Sequence, residues 1–486
     1  MKIQLGKRLS LLLGIAVALV IVFRSVPAQG SFVSTLPAGY VVYDGQPTIG
    51  KSCSCARFGI TGAPPLPPPC ADPTCRGSSN TQYVWFKTNV SGIKSTICKS
   101  SRPCFQLDGS DALVVSGNLS PVQNLTYYSF TIYQSYTHTS RSPSQYTEIG
   151  SSVGLSPNRD SLKLDANGKY VLIITASTNT LNAIKNSLRA TGVPDQIINS
   201  YLIPASIANV GSTPYPDQLA LALRLTSQSD TERKYVESFV KQTAPLTQVL
   251  FIKAPGINGD ITFDNLPKWE DTLRVNNVEY RTGTDQKLKE LEQAVTKAYN
   301  RQGYKLKARL TEDLLHFAPE ECRKNLSFCQ YDSPDALYTN FSCDFAPFPP
   351  LGGRNCNIQL SANSNDVLML LGVNHTLVGD KTLATYISHE SKTTQSNDST
   401  FTFVGLYTKG SANQYLPTQK SANLYAVKIT RNCDNELFCV GIPYVGRKPE
   451  NTGFYLLGRI YLDKVSKSGP NPANLVPSVL LWFTRS

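Results

Sequence analysis

The amino-terminal segment of this chain has the layout of a secretory signal, and it constrains the fold because it decides whether the cysteines meet an oxidising compartment. A basic head precedes an apolar run over residues 9–23, and Val26 and Ala28 stand at the two positions that a signal peptidase reads. The pattern predicts a signal peptide over residues 1–28 and a mature protein that is secreted.

A membrane anchor is the alternative interpretation of the same segment. A spanning helix needs roughly 20 apolar residues, and this run ends sooner, at Arg24. An anchor would require the helix to extend to Val26 while the Arg24 side chain reaches back to the interface. No later segment is long and apolar enough to span, so we expect no stable membrane insertion after signal cleavage.

The twelve cysteines predict disulfide bonds. They fall into three groups, each even in number, and an oxidising compartment makes pairing the expectation. The groups are Cys53, Cys55, Cys70, Cys75, Cys98 and Cys104; Cys322, Cys329, Cys343 and Cys356; and Cys433 with Cys439. The last pair closes a short loop between two predicted strands and is the easiest to propose. No spacing matches a zinc site, so we predict no metal and no cofactor.

The net charge of +12 is spread over the chain without a basic run. Diffuse positive charge on an exported protein favours an acidic polysaccharide or a cell surface over a nucleic acid, although a merely solvated surface is the favoured explanation. Asn-X-Ser/Thr sequons predict glycosylation only in a eukaryotic host. They lie at Asn89, Asn118, Asn124, Asn325, Asn340, Asn374 and Asn397.

A tyrosine-rich strand is predicted near residues 126–136. Tyr127 and Tyr133 share one face with small polar residues, while the other face is apolar. This alternation predicts a half-exposed strand. Tyr127, Tyr133 and Tyr136 would then be available to stack on a sugar ring or another flat ligand. Packing against a neighbouring layer is the alternative.

Periodicity along the chain predicts an α+β fold dominated by strands. Strands and helices alternate over residues 168–254, which suggests a small ferredoxin-like α/β module. Leu288, Leu291 and Val295 recur at helical spacing in the strongest predicted helix. Seven short predicted strands beyond residue 355 suggest a sandwich or barrel. We therefore expect disulfide-bonded, β-sandwich-like parts flanking the α/β module, with the N-terminal and C-terminal strands forming one composite sandwich around it. No internal repeat is evident.

The predicted boundaries follow these changes in pattern. They are a Cys/Pro-rich segment over 29–110, strands over 111–160, the α/β module over 161–260, a helix and disulfide-rich connection over 261–354 and a β domain over 355–486.

Two histidines are the strongest candidates for catalysis. His375 and His389 each follow or end a predicted strand, and Glu390 is adjacent to the second. If the two strands form a hairpin, these three side chains meet and provide a general acid–base pair. Ordinary polar histidines in strand and loop are the alternative. A G-x-S-x-G match at residues 150–154 lacks the strand-to-helix turn that would make Ser152 a nucleophile.

Several short sequence segments resemble a family of secreted, β-rich microbial proteins of unassigned function, over about residues 105–486. They are Tyr127-Tyr128-Ser129-Phe130-Thr131-Ile132-Tyr133, Val171 to Ala176 followed by Asn179, Asp195 to Asn199 leading to Ile203-Pro204, Gly372 to Thr376, and Gly458 to Asp463. The resemblance implies the same strand, α/β, strand order and a recurrent Asn374-His375 step. It implies no cofactor, substrate or catalytic residue.

Two functions remain open on these grounds. The first is a secreted glycoprotein that binds extracellular carbohydrate, a cell surface or another flat ligand. The second is a secreted hydrolase or lyase with a histidine-based acid–base site.

Overall fold

The computed structural model describes two bodies of strands and helices, which we call lobe 1 and lobe 2. The described ranges are 32–49, 81–88, 103–138, 146–255 without 205 and 212–214, 277–315, 333–341, 366–378, 386–393, 399–431, 436–441, 454–463 and 467–485, with single residues at 275, 358, 360, 384, 433 and 465. Each lobe contains one nine-stranded sheet. The β-dominated class is therefore confirmed.

Lobe 1 comprises the described residues up to 255. Its strands are β1 Val41–Ile49, β2 Thr81–Thr88, β3 Ala112–Asn118, β4 Tyr127–His138, β5 Tyr146–Ser152, β6 Lys169–Thr175, β7 Ile198–Leu202, β8 Gln218–Thr226 and β9 Gln248–Lys253. Its helices are α1 Thr178–Ala190 and α2 Asp230–Ser238, with a π-helical turn at Phe239–Thr243 and 3-10 turns at Asp195–Ile197 and Ala244–Leu246. Ser177 and Ser229 cap the two helices by accepting backbone N–H groups.

Lobe 2 comprises the described residues from 275 onward. Its strands are β10 Tyr304–Leu315, β11 Ala336–Phe341, β12 Val367–Val373, β13 Tyr386–Thr393, β14 Ser399–Val404, β15 Leu424–Thr430, β16 Cys439–Gly441, β17 Phe454–Tyr461 and β18 Val479–Arg485. Its helices are α3 Val278–Arg281, α4 Thr284–Arg301, α5 Gly405–Thr408 and α6 Thr418–Ser421, with 3-10 turns at Ser411–Gln414 and Pro472–Asn474.

The two sheets have the same topology. The first runs β5-β4-β8-β2-β1-β9-β3-β6-β7, and the second runs β14-β13-β17-β11-β10-β18-β12-β15-β16. In the second sheet, each strand therefore occupies the position that the strand with a number nine lower occupies in the first sheet. The one parallel pair among the described strands of each sheet also corresponds, since β6 pairs with β7 and β15 with β16. The structure thus contains an internal duplication that the sequence analysis missed.

Matching the strand registers aligns residues of the same type in the two lobes. Tyr83 lies opposite Arg224, and Tyr338 lies opposite Arg459. In the same way Gly117 lies opposite Tyr170, and Gly372 lies opposite Tyr425. At the end of β6, the Thr175 hydroxyl donates to the carbonyl of Asp111, which precedes β3. At the end of β15, the Thr430 hydroxyl likewise donates to the carbonyl of Asp366, which precedes β12.

The strands assigned to a separate α/β module do not form one. β6 to β9 are in the same sheet as β1 to β5, because β9 pairs with both β1 and β3. The expected composite of N-terminal and C-terminal strands is likewise not observed in the described residues, where each lobe builds its sheet from its own strands. The 161–260 module and the 355 boundary were therefore wrong, since pairing between distant strands overrides local alternation.

The glycines opposite the buried tyrosines yield the first prediction. A Cβ at Gly372 would lie within 2.7 Å of the Ser478 hydroxyl and closer still to the Tyr425 hydroxyl, whereas at Gly117 the nearest atoms are 3.1 Å away. We expect Gly372→Ala to lower the free energy of unfolding by about 1–3 kcal/mol through overpacking. Gly117→Ala should change it by less than about 1 kcal/mol.

Urea denaturation of the two variants measures this difference, and each serves as the matched control for the other. Equal losses of stability at both glycines would contradict the packing difference between the lobes.

Candidate functional site

His375 lies in the interior of lobe 2, just beyond the end of β12. Its side chain is 2% exposed. Its Nδ1 lies 2.5 Å from Oε1 of Glu279, which is on the short helix α3 and fully buried. The residue that the sequence singled out therefore does have a carboxylate partner, but one 96 positions away.

Both carboxylates near His375 are held by the backbone that leads into β18. The Val476 N–H donates to Oε2 of Glu279 at 2.6 Å, and the Ser478 N–H donates to Oε2 of Glu312 at 2.9 Å. Glu312 is a buried residue of β10. We call His375, Glu279 and Glu312 the His375 site. Its hydrogen bonds tie α3 to the segment before β18.

The charges of the His375 site favour an imidazolium. Burial by itself lowers the pKa of His375, but the Glu279 carboxylate, through its charge and its hydrogen bond, together with the charge of Glu312, outweighs burial and raises the pKa above its usual value. A cation is thus enclosed between two carboxylates. This arrangement resembles the base and orienting acid of a catalytic pair. However, His375 lines neither the lobe 1 cleft described below nor the groove that runs along α4 from Glu292 to Arg301.

The predicted meeting of His375 with His389 and Glu390 was wrong. β13, which carries His389 and Glu390, pairs with β14 and β17. Four strands separate it from β12 in the sheet, so the two strands do not form a hairpin. The backbone of His389 lies opposite Phe403 and Gly458. The true partners, Glu279 and Glu312, carry no sequence signal, because neither belongs to a motif.

The predicted tyrosine face is buried, so the expectation of a half-exposed strand was wrong. Tyr127 and Tyr133 are 0% exposed, and Tyr136 is 7% exposed. The Tyr127 ring packs against Tyr461 of lobe 2, with 4.6 Å between ring centroids. The physical reason is that Tyr461 of lobe 2 covers Tyr127 and that Trp85 of lobe 1 packs against Tyr133, with 6.1 Å between ring centroids. No open stacking surface is formed by these three rings.

Asp335 of lobe 2 is the centre of a buried polar contact with lobe 1. It accepts hydrogen bonds from the Tyr127 hydroxyl at 3.0 Å and from Asn158 Nδ2 at 3.2 Å. Burial raises the pKa of Asp335 to about 7. Asn158 also donates to the Lys467 carbonyl at 2.9 Å. The lobes are thus joined by oriented hydrogen bonds as well as by aromatic packing.

An arginine–tyrosine pair occurs at the same register in each lobe. Arg224 lies 5.4 Å from the Tyr83 ring centroid, and Arg459 lies 5.4 Å from the Tyr338 ring centroid. Arg224 is 2% exposed and interacts electrostatically with Tyr338 of the other lobe. The duplicated pairs therefore lie at the junction of the two lobes.

The other predicted modification sites differ in accessibility. Cys433 and Cys439 are joined, with Cα atoms 5.6 Å apart. Asn124 is exposed, whereas Asn340 and Asn374 are buried, and Asn374 donates to the Gly405 carbonyl at 2.9 Å. A glycan on either buried amide is incompatible with this packing. Asn118 is half-buried, and Asn89, Asn325 and Asn397 lie outside the described residues, as do all the other cysteines except Cys104.

A cleft in lobe 1 separates the sheet from the end of α1, and we call it the lobe 1 cleft. It is lined by Phe32, Val114, Ser116, Gly117, Lys169, Tyr170, Val171, Leu188, Val193, Ile197, Gln248 and Leu250. The side chains are apolar except on one side, where Ser116, Lys169 and Gln248 lie on three adjacent strands.

The equivalent face of lobe 2 is filled. By strand register, Ser116, Lys169 and Gln248 correspond to Leu371, Leu424 and Val479. Those three apolar residues pack against the apolar stripe of α4, which consists of Leu288, Leu291, Val295 and Tyr299. The same sheet face is therefore sealed by a helix in one lobe and carries a polar-edged cleft in the other.

The described part of the chain shows neither a metal site nor a membrane-spanning helix. No group of three or more His, Cys, Asp and Glu side chains there has the arrangement of a metal site. None of its helices combines the length and hydrophobicity needed to cross a bilayer.

Comparison of the chain with protein-family models, with curated proteins and with solved structures gives no match. The resemblance to a secreted family therefore stays a prediction.

The raised pKa of His375 predicts how stability depends on pH. The folded state binds the imidazolium proton more tightly than the unfolded chain, so its contribution is complete below about pH 6.5 and is lost as pH rises through the folded-state pKa. We expect urea denaturation to show falling stability across this range. In His375→Gln this decline should disappear.

His138→Gln is the control for this series, because His138 stacks on Tyr215 outside the site. A His375→Gln variant with the same decline as the parent protein would contradict the assignment.

The raised pKa of Asp335 predicts a second pH range over which the stability of the protein changes. Between about pH 4 and about pH 7 the folded state retains a proton that the unfolded chain has released, so stability falls as pH rises through this range and then levels off. We expect Asp335→Asn to lack this decline. Urea titrations at closely spaced pH values measure it.

The exposed Asp195→Asn variant is the control, since Asp195 forms a surface ion pair with Arg189. A decline retained in Asp335→Asn would show that another group titrates there.

Proposed function

We propose that this chain is an exported binding protein of two lobes with one topology, and that a small molecule enters the lobe 1 cleft. The proposal rests on a difference between the equivalent sheet faces of the two lobes. In lobe 2 the face is closed by α4, whereas in lobe 1 three of the corresponding positions are polar and border a cleft. Concave, mostly apolar sites with a few polar groups are where ligands usually bind.

The alternative of a hydrolase or lyase has less support. Catalysis by His375 requires a substrate to reach the imidazole, yet His375 and Glu279 are 2% and 0% exposed. Their hydrogen bonds end on each other and on the backbone N–H of Val476, which is the behaviour of a structural ion pair. The carbohydrate-stacking version of a binding role also loses its surface, because Tyr127 packs against Tyr461.

Export itself rests on the signal-like segment at residues 1–28, the pairing of Cys433 with Cys439, and the even cysteine groups. An exported binding protein meets its ligand outside the cytosol, where a disulfide such as Cys433–Cys439 persists.

A variant that fills the cleft tests the proposal. Val114 is buried on β3 and lines the cleft. We expect the purified protein to bind xenon, an apolar probe that a space of about 50 Å³ can hold, and Val114→Phe to weaken that binding at least tenfold, because the new ring takes the space of the probe. Titration followed by xenon NMR measures the affinity.

Val465→Phe is the matched control, since Val465 is 59% exposed in lobe 2. Thermal unfolding followed by circular dichroism shows whether Val114→Phe remains folded. Absence of xenon binding, or binding of equal strength in a folded Val114→Phe protein, would refute the cleft as the binding site. Turnover of ester or polysaccharide substrates that is lost in a folded His375→Gln variant would favour the hydrolase instead.

A further inference from the structure

We infer that the surface groove along the carboxy-terminal half of α4 binds an acidic polysaccharide. This site belongs to lobe 2, and the inference does not depend on the lobe 1 cleft. Three observations lead to it: an open groove between α4 and the start of β10, two cations in that groove without acidic partners, and amide side chains between the cations. We call this site the α4 groove.

The α4 groove lies where the chain turns from α4 back into β10. One wall is the solvent-facing side of α4 from Glu292 to Arg301, and the other is formed by Leu306 of β10. The volume of the groove is about 680 Å³, which is within the usual size of a ligand site. The helix rises about 14 Å between Glu292 and Arg301. The groove therefore accepts a short stretch of a linear polymer.

The α4 groove is cationic because its acid is already paired. Glu292 is the one acidic residue lining it in the described part of the chain. The Arg309 guanidinium donates to both Glu292 oxygens, at 2.6 and 3.0 Å. Lys297 and Arg301 line the groove, are exposed and form no ion pair with a described residue. They are four residues apart and so lie on the same side of the helix, where one anionic chain can contact both.

The sequence around the α4 groove carries charge of one sign. Residues 293–311 contain no aspartate or glutamate and five cations, which are Lys297, Arg301, Lys305, Lys307 and Arg309. Four of these remain after Arg309 is paired with Glu292. Lys305 and Lys307 flank Leu306 and are exposed. A surface with one sign of charge raises the local concentration of an oppositely charged ligand, so the groove favours a polyanion.

The amino-terminal half of α4 provides an internal comparison. Lys289 lies 3.9 Å from Asp285, and Lys420 of α6 donates to Glu290 at 2.8 Å. Lys289 and Lys420 therefore each have an acidic partner at that end of the helix. The unpaired cations of the α4 groove are thus not a general property of α4, and they are available to an external partner.

The neutral side chains of the α4 groove suit a sugar chain. Gln293, Thr296 and Asn300 line it together with the cations, and both amides are exposed. An amide offers two donors and an acceptor, which match the hydroxyl groups of a sugar. Leu306 is 42% exposed and provides an apolar contact for the C–H face of a sugar ring. Charge selects the acid, and the amides select the sugar.

A nucleic acid would meet the same charges but no stacking surface. No aromatic residue lines the α4 groove in the described part of the chain. Two rings at this end of the sheet are covered by cations, since Lys307 Nζ lies 3.8 Å from the Trp482 ring centroid and Arg485 Cζ lies 5.7 Å from that of Tyr304. Single-stranded nucleic acids are held on aromatic rings. The observations therefore favour the sugar polymer.

Polygalacturonate tests the inference against its methyl ester, which has the same sugar chain without the charges. We expect polygalacturonate to bind about tenfold more tightly at low ionic strength, and added salt to weaken its binding. A protein with both Lys297→Gln and Arg301→Gln should bind it about tenfold more weakly, since one exposed ion pair contributes up to about fivefold. Isothermal titration calorimetry measures the affinities. Dextran sulfate and neutral dextran give the same comparison for sulfate, and the tighter of the two acidic polymers identifies the anion.

Two further sets of variants separate the α4 groove from a general effect of charge. The combination of Lys87→Gln and Lys234→Gln removes the same charge from exposed positions in lobe 1 and should change the affinity by less than about threefold. The combination of Gln293→Ala and Asn300→Ala changes no charge and should weaken binding about fivefold through lost hydrogen bonds. Gln302→Ala is its control, because Gln302 is exposed and does not line the groove.

The outcomes decide between the α4 groove and its alternatives. Equal losses in the Lys297/Arg301 and Lys87/Lys234 proteins would refute the groove as the site, and so would unchanged binding after removal of the two amides. Equal affinity for charged and neutral polymers would refute an acidic ligand. Tighter groove-dependent binding of single-stranded DNA than of either acidic polysaccharide would replace the sugar by a nucleic acid. Circular dichroism shows that each variant is folded, and xenon binding in lobe 1 tests the proposed function separately.

Discussion

The architecture of both lobes depends on covering one apolar face of a nine-stranded sheet. In lobe 2, α4 lies on this face with Leu288, Leu291 and Val295 against β12, β15 and β18. In lobe 1, α1 covers the corresponding cluster with Leu181, Ile184 and Leu188. A sheet face that is not covered exposes apolar surface to water. The helix that packs on this face therefore determines whether the lobe is closed there or carries a cleft.

The His375 site follows from this constraint. α3 immediately precedes α4, and its residue Glu279 is bonded to His375 at the end of β12 and to the backbone of Val476 before β18. The ion pair therefore connects the start of the covering helix to two strands of the sheet that the helix covers. A buried pair of this kind is weak evidence for net stability but specifies one arrangement, because either partner alone is a buried unpaired charge.

The junction between the lobes uses the same physical device. Tyr127, Asn158 and Asp335 form oriented hydrogen bonds in a site where each polar group would be costly without the others. The matching Arg224–Tyr83 and Arg459–Tyr338 pairs lie there as well. An apolar junction would allow many relative orientations of the lobes, whereas this network allows few. The lobes differ at the lobe 1 cleft, where packing of the sheet does not require the same side chains.

The sequence by itself determined the local elements and the candidates for disulfide pairing. The periodicity of Leu288, Leu291 and Val295 predicted a helix over 285–300, and the structure has one at Thr284–Arg301. The pairing proposed for Cys433 and Cys439 spans only six positions, so proximity along the chain was sufficient to suggest it. His375 was proposed as catalytic from the sequence, but its expected neighbours, His389 and Glu390, lie on a distant strand, and its carboxylate partner is Glu279.

Tertiary structure alone decided the duplication, the partners of His375 and the burial of the tyrosine face. Glu279 and His375 are 96 positions apart, and Tyr127 and Asp335 are 208 positions apart. Side-chain alternation shows that β4 has two faces, but not that Tyr461 of lobe 2 and Trp85 of lobe 1 cover tyrosines of the polar one. Few residue types recur between the lobes, because a sheet specifies strand order through backbone hydrogen bonds and burial and requires particular side chains only at close contacts such as Gly372 with Tyr425.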